Sequence, residues 1–190
     1  ATDDRTRRRA RRAYRIGVYP RRGTAAPSSL TAMSNRELTA TLAEVDLFRG
    51  LSHRVLSHIA DSGSSAEYAE GTAVIVQGDS VTGFKAFSPA GVEMHVVLDG
   101  AARVLVNGEE VNRLTEGDYF GELSLIDGRP RSADIVADAG GLTTFALSRW
   151  TFEDLLDKHP EVAVPMLRVL CSRLRNVEKP IGSYLFAGPT

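Results

Sequence analysis

The sequence predicts a mainly β domain with flanking helices. Apolar residues follow a helical period between Ser34 and Ile59, turn signals separate short apolar runs between about Ser65 and Leu147, and the helical period returns after Ser148. A chain of 190 residues that is 43% apolar is long enough to bury one core with short flanking segments. We therefore expect one domain, with its boundaries at residues 33–178.

Two short helices are predicted at the start of this domain. Ser34 is a suitable N-cap, and Glu37 stands three residues later in the capping-box arrangement. The apolar positions of the first helix are Leu38, Leu42 and Val45, and those of the second are Leu51, Val55, Leu56 and Ile59.

The central segment is predicted to be all β. Gly or Asx-Gly pairs recur about every ten residues, as turns do between short strands. Asn107-Gly108 suits a tight hairpin, so residues 104–106 and 111–114 should form its two strands.

The C-terminal segment is predicted to form two helices separated at His159-Pro160, because the residue before a proline is disfavoured in the helical region. The second helix should run from about Glu161 to Val177, with Leu167, Leu170 and Leu174 along its apolar face. Residues 179–190 are expected to be a tail, with no room for a DNA-reading helix pair.

Charge divides the chain into two parts. Residues 1–32 carry nine arginines against two aspartates, a net +7, which leaves −8 for residues 33–190. The first segment lacks apolar periodicity and is expected to be a disordered Arg-rich tail, or a leader upstream of a start at Met33. The acidic body should repel phosphate backbones, so no specific nucleic-acid binding is expected, although the basic run could bind nucleic acid or anionic lipid nonspecifically.

The composition excludes several other classes. No run approaches the roughly 20 apolar residues of a membrane span, so we expect a soluble, cytoplasmic protein. Cys171 is the only cysteine and is expected to be a core thiol, and His95 is the only histidine in a predicted strand. Neither a metal site nor a catalytic residue set is therefore expected, and the chain should not be an enzyme.

Residues 117–133, which read GDYFGELSLIDGRPRSA, are the most informative segment. A short helix that starts near Gly121 would direct free backbone N–H groups at an anion, and a glycine there allows close approach. Arg131 can donate to two phosphate oxygens and keeps its charge at every accessible pH. The segment therefore predicts a phosphate cradle.

This segment resembles the phosphate-binding cassette of the cyclic-nucleotide-binding domain family, to which the bacterial catabolite activator protein and the regulatory subunits of cAMP-dependent kinase belong. The resemblance extends over roughly residues 44–178. It implies a β-roll (a double-stranded, jelly-roll-like β-helix) with N-terminal helices and C-terminal lid helices. The implied ligand is cAMP, with cGMP as the alternative, and no cofactor is implied.

The resemblance also implies roles for single residues. Glu122 would accept the ribose 2′-OH, Ser132 would contact the phosphate, and the backbone N–H of Ala133 would add a donor. The purine would be capped by the last helix, at Leu174, Arg175 or Asn176. The ligand-binding set is Phe120, Gly121, Glu122, Leu123, Ser124, Arg131, Ser132 and Ala133.

Other interpretations of these residues stay open at this point. Glu122 could be a solvated carboxylate at a helix start, and Arg129 and Arg131 could form surface ion pairs with Asp127 or Asp134. Asp134 stands where the family usually has an uncharged residue, and its side chain should face opposite to Ala133.

The segment from Ser80 to Glu93 is longer than the family's usual link and is either a partner-binding loop or a tolerated insertion. With Asp134, it supports the alternative of a protein-interaction module that has lost nucleotide binding.

The expected mechanism is that of a sensor. A ligand that contacts both the roll and the helix at 161–177 would favour the state in which that helix closes as a lid. The effector protein is not identified by the sequence, and the last helix could also pair with a second copy in a homodimer.

Overall fold

The computed structural model describes residues 33–81 and 93–185, with side chains described as far as Arg175. The predicted tail at 1–32 and most of the long segment at 80–93 lie outside the described residues. The predicted order of helices, β unit and helices is confirmed.

Helix α1 (Asn35–Glu44) begins at Ser34, which forms the predicted capping box with Glu37. Helix α2 (His53–Ser62) is capped by Ser52, whose side chain accepts from the backbone N–H of Val55. The short strands β1 (Ser64–Tyr68) and β2 (Ala73–Ile75) follow.

Two long strands, β3 (Glu93–Val106) and β6 (Asp134–Ser148), form the centre of the sheet. Strand β4 (Glu109–Thr115) pairs with β3 across the predicted Asn107-Gly108 hairpin, and β5 (Tyr119–Phe120) pairs with the start of β3. Within the described residues the strand order is β1-β6-β3-β4, with β2 paired to β6, and every pairing is antiparallel.

The pairing register of the two long strands shifts near Gly100. Gly100 has φ +80°, and a Cβ there would lie 2.3 Å from the carbonyl oxygen of Gly141. Only glycine permits this approach of two backbones, which allows the sheet to curl.

The core consists of two main clusters on opposite sides of the sheet. One joins the helices to alternate residues of β3, namely Met94, Val96 and Leu98. The other contains strand residues alone, among them Val97, Phe120 and Leu142, and fills the inside of the roll.

The chain ends in helix α4 (Arg149–Lys158), a 3₁₀ turn (Pro160–Val162) and helix α5 (Ala163–Leu185). The predicted separation at His159-Pro160 is confirmed. The predicted end of the last helix at Val177 is wrong, because Pro180 removes one backbone donor without ending the helix. The domain boundaries themselves stay predictions.

The predicted apolar face of α5 is also wrong in part. Val162 and Met166 are buried in the core and Val169 and Leu170 pack against it, whereas Leu167 and Leu174 are each 58% exposed. The helix therefore packs on a face rotated from the predicted one. Among the described residues, no helix is long and apolar enough to cross a membrane.

Candidate functional site

The segment around Gly121 forms the predicted strand, turn and short helix. Phe120 pairs with His95 of β3, Gly121 adopts the left-handed conformation with φ 87°, and helix α3 (Glu122–Asp127) starts at the next residue. A Cβ on Gly121 would lie 2.8 Å from the carbonyl oxygen of Glu93 and 3.0 Å from Nη1 of Arg131. Both the backbone conformation and the space available therefore require glycine.

Arg131 lies beside this glycine with its guanidinium held in place. Its Nη1 donates to the carbonyl oxygen of Gly121 at 2.8 Å, and its Nη2 donates to that of Glu93 at 2.9 Å. The side chain is buried, and burial lowers the pKa of Arg131, while the carboxylates of Asp79, Glu122 and Glu93 act against that shift. The site thus holds a fixed, largely desolvated positive charge.

Backbone hydrogen bonds also hold Arg131 in place. The N–H of Arg131 donates to the carbonyl of Asp79 at 2.9 Å, and its own carbonyl accepts from the N–H of Gly78 at 2.8 Å. By contrast, Arg129 is exposed, with its Nε 3.9 Å from Oδ2 of Asp127. The surface ion pair considered for both arginines describes Arg129 and is wrong for Arg131.

Glu122 is 1% exposed, which excludes a solvated carboxylate. Its Oε1 accepts from Nη1 of Arg173 in α5 at 2.6 Å. Burial raises the pKa of Glu122, and the charge of Arg173 opposes that rise. The first residue of the cassette helix is therefore paired with the C-terminal helix.

Arg173 makes two further contacts with the cassette. Its Nη2 donates to the carbonyl of Tyr119 at 2.7 Å, and its guanidinium lies 5.4 Å from the centroid of the Tyr119 ring. Sequence reasoning missed this residue. The residues proposed to cap the purine, Leu174 and Arg175, are exposed, and the side chain of Asn176 lies outside the described side chains, so that assignment stays a prediction.

The remaining predicted ligand residues lie along the same segment. Phe120 and Ser124 are buried, Ala133 is half-buried, and Leu123 and Ser132 are exposed. The carbonyl of Ser124 accepts from Nη2 of Arg149 at 3.0 Å, which ties the cassette helix to the start of α4. Hydrogen bonds thus join Arg131 to Gly121, Glu122 to α5 and Ser124 to α4. Ser132 lies at the surface, next to Arg131 in the sequence.

Asp134 does not extend into the site as a free charge. It is buried, and its Oδ1 accepts from the backbone N–H of Gln77 at 2.7 Å. The side chain of Gln77 in turn accepts from the N–H of Asn107 at 2.8 Å. The carboxylate that departs from the family's usual uncharged residue therefore anchors the chain between β2 and the hairpin.

His95 is a packed histidine of the sheet. Its ring stacks on Phe120 with centroids 5.0 Å apart, and its Nδ1 lies 3.1 Å from Oγ1 of Thr144. Burial, with a smaller effect of Arg131, lowers the pKa of His95 to about 3. No group of three or more potential metal ligands occurs among the described residues.

His95 should make the free energy of unfolding depend on pH. Because its pKa falls from 6.5 to about 3 on folding, its contribution is present above pH 6.5 and is lost as the pH falls toward 3. We expect a loss of about 2 kcal/mol by pH 5 that His95→Gln abolishes. Urea unfolding of both proteins between pH 8 and pH 5 measures it. The exposed His58 provides the control, since His58→Gln should keep the wild-type slope, and an unchanged slope in His95→Gln would contradict the prediction.

Cys171 is exposed in α5 and is therefore not the expected core thiol. Its position follows from the rotated packing face of that helix. Met166 and Val169 face the core, and a residue two positions beyond Val169 faces away from it.

A curled antiparallel sheet with helices at both ends is the architecture of a β-roll, and a buried arginine lies beside the glycine at which its short helix begins. Residues 66–159 match the family model described as the cyclic nucleotide-binding domain. The chain belongs to the cyclic nucleotide-binding domain family.

Individual relatives agree with this assignment. The cAMP-dependent protein kinase regulatory subunit of Debaryomyces hansenii is 34% identical over 130 residues, which are 68% of this chain and 26% of that protein. The catabolite activator protein of Thermus thermophilus is 27% identical with a TM-score of 0.61, covering 74% of this chain and 63% of that one. A cAMP-bound PfPKA-R shares the fold, with a TM-score of 0.64 at 24% identity over 78% of this chain and 47% of that one. The chain thus spans about a quarter of the length of the yeast regulatory subunit.

Proposed function

We propose that this domain binds a cyclic nucleotide, cAMP in the first place and cGMP as the alternative, and that it is a regulatory sensor without catalytic activity. The observation that carries the proposal is Arg131, a buried guanidinium held 2.8 Å from the carbonyl of the left-handed Gly121. A cyclic phosphate carries one negative charge and two exocyclic oxygens, which a planar fork of donors can bind together. Glu122 directly follows Gly121, whose carbonyl accepts from Arg131, and this position supports a ribose contact.

The alternative of an interaction module that has lost nucleotide binding is not favoured. One of its two supports was the additional carboxylate of Asp134, which the Gln77 amide already engages. The other was the segment at 80–93, most of which lies outside the described residues.

Isothermal titration with cAMP and cGMP tests the proposal directly. Saturable one-site binding of either nucleotide supports it, and linear 5′-AMP is the matched control that lacks the cyclic phosphodiester. No heat of binding with either cyclic nucleotide, in a protein shown to be folded, would contradict it.

Glu122→Gln should weaken the binding of cAMP by about 1–3 kcal/mol, as expected when a hydrogen bond to a charged acceptor is lost. The same substitution should affect 2′-deoxy-cAMP less, because that analogue lacks the donor and loses only what the contact of Glu122 with Arg173 contributes. Isothermal titration of the wild type and of Glu122→Gln, each with cAMP and with 2′-deoxy-cAMP, measures the four affinities. An equal loss with the two nucleotides would assign Glu122 to another role.

We further propose that the ligand acts on α5 through Glu122. The carboxylate that would accept the ribose hydroxyl is the one that pairs with Arg173, so ligand and helix meet at a single side chain. A ligand that strengthens this connection favours the closed position of the helix by the difference in its affinity for the two positions. The names of the relatives suggest that a protein kinase catalytic subunit is the effector.

A homodimer through α5 remains a second proposal. Val164, Leu167 and Leu174 are exposed large apolar residues on this helix. Sedimentation velocity with and without cAMP measures the oligomeric state.

A further inference from the structure

The cassette helix α3 is too short to be stable by itself. It has six residues, Glu122–Asp127, and a helix of this length does not persist in water without tertiary contacts. Leu125 packs into the core, and arginine side chains from three separate elements donate to backbone carbonyls of residues 119–124. These contacts are Arg173 to Tyr119, Arg131 to Gly121 and Arg149 to Ser124.

Arg149, the first residue of α4, supports the C-terminal turn of α3. Its Nη2 donates to the carbonyl of Ser124 at 3.0 Å, and the same carbonyl accepts from the N–H of Gly128, the C-cap, at 3.2 Å. The side chain of Arg149 is 23% exposed. Its Nη1 lies 3.9 Å from Oε1 of the exposed Glu153, a surface pair that contributes little. The contact with Ser124 is therefore the shorter and better shielded of the two.

Both ends of α3 are connected to one place in the sheet. Arg149 directly follows Ser148, the last residue of β6, and Ser148 pairs with Glu93 of β3. The carbonyl of Glu93 accepts from Arg131, which also donates to the carbonyl of Gly121 at the start of α3. A closed ring of contacts thus joins the sheet to the first turn of α3 through Arg131 and to its last turn through Arg149.

This ring fixes the orientation of α3 in the absence of a ligand. Gly121 and Glu122, which would meet the phosphate and the ribose, lie at the start of this helix, so its orientation decides where they are. A site that is competent for only a fraction of the time binds with an affinity lowered by that fraction.

We propose that Arg149 is a positioning residue of the nucleotide site, which keeps α3 in the arrangement that binds although it does not contact the ligand itself. This inference rests on the proposed function. It assigns the start of α4 a part in binding that is separate from the connection between Glu122 and α5.

Arg149→Gln should weaken cAMP binding roughly five- to thirty-fold, because a smaller fraction of molecules then has a competent cassette. The loss should be the same for 2′-deoxy-cAMP, unlike the loss expected for Glu122→Gln, because Arg149 contacts neither ligand. Isothermal titration measures both affinities. Amide hydrogen exchange should show that Gly128 loses protection in the free variant and regains it with saturating cAMP.

The matched variants separate positioning from charge. Arg149→Lys should recover most of the affinity, because a single hydrogen bond to one carbonyl can also be donated by an ammonium group. Glu153→Gln removes the carboxylate near Arg149 and leaves the contact with Ser124, so it should bind as the wild type does. A loss in Arg149→Gln that disappears in about 0.5 M NaCl would overturn the inference, because it would make Arg149 only a source of positive potential.

Equal affinity of the wild type and Arg149→Gln, with equal protection of Gly128, would also overturn the inference and leave the proposed function intact. Should Arg149→Gln fail to fold, hydrogen exchange of the wild type decides. Gly128 should be protected before cAMP is added, and protection that arises only with cAMP would contradict the positioning role. A folded wild type that binds no cyclic nucleotide contradicts both proposals.

Discussion

Arg131→Ala is expected to weaken cAMP binding by about 2–5 kcal/mol, a loss of roughly thirty-fold to several thousand-fold in affinity. The substitution removes the buried guanidinium of the cradle, whose positive charge interacts with the carboxylates of Asp79 and Glu93. Isothermal titration of wild type and variant measures the difference.

Arg129→Ala is the matched control, because this arginine has the same charge, lies two residues away and is exposed. It should change the affinity little. Arg131→Lys should be almost as deleterious as alanine, since one ammonium group cannot reproduce the two contacts of the guanidinium fork. Equal losses for Arg129→Ala and Arg131→Ala, in proteins whose folding is checked by circular dichroism, would contradict the assignment of the phosphate to Arg131.

Arg173→Ala should destabilise the attachment of α5, because it leaves the buried carboxylate of Glu122 without its partner. Removing one member of a buried ion pair costs about 3–5 kcal/mol. The side chain of Arg173 is 33% exposed, so water screens part of the interaction, and we expect a loss of about 1–3 kcal/mol. Urea unfolding gives the free energy, and amide hydrogen exchange over residues 161–178 shows whether the helix detaches.

The control for this variant is Arg175→Ala, which removes the same charge from an exposed position of the same helix. The double variant Glu122→Gln with Arg173→Ala should recover part of the stability, because the uncompensated charge is then absent. Saturating cAMP should protect residues 161–178 in the wild type and less so in Arg173→Ala. Equal exchange in Arg173→Ala and Arg175→Ala would show that α5 is held by its apolar residues alone.

The elements that could be predicted are those with local physical causes. The capping box at Ser34, the Asn107-Gly108 hairpin and the break at His159-Pro160 each depend on backbone preferences of one or two residues. The turn at Gly121 belongs to the same class, and the resemblance of the surrounding segment assigned it to the correct family.

The contacts that could not be predicted join residues far apart in sequence. Glu122 and Arg173 are separated by 51 residues, and nothing local to either one indicates the other. The sequence nevertheless contains a signal for this contact. The apolar residues Val162, Met166 and Val169 are spaced along one face of the helix, and Arg173 is the next residue on that same face. Because the predicted apolar face contains Leu167 and Leu174, Arg173 is not recognised as a residue of the buried face, and Cys171 is assigned to the core.

The contribution of Asp134 shows a different limit. The sequence shows that Asp134 carries a charge and that its side chain faces opposite to that of Ala133. It does not show that the backbone N–H of Gln77 is its partner, because that contact depends on how the chain at Gln77 packs against β6. Here the backbone N–H of Gln77 donates to that carboxylate, so Asp134 anchors the chain that follows β2.

The two carbonyls that hold Arg131 also affect the entropy of binding. A long, flexible side chain that is ordered only when its ligand arrives lowers the affinity by about 0.5–1.5 kcal/mol in lost rotamer freedom. Here the fold itself orders the guanidinium, because the oxygens of Gly121 and Glu93 fix its orientation before any anion is present. The entropy lost in ordering Arg131 is therefore part of the free energy of folding. A ligand binds to an arginine whose rotamer is already selected.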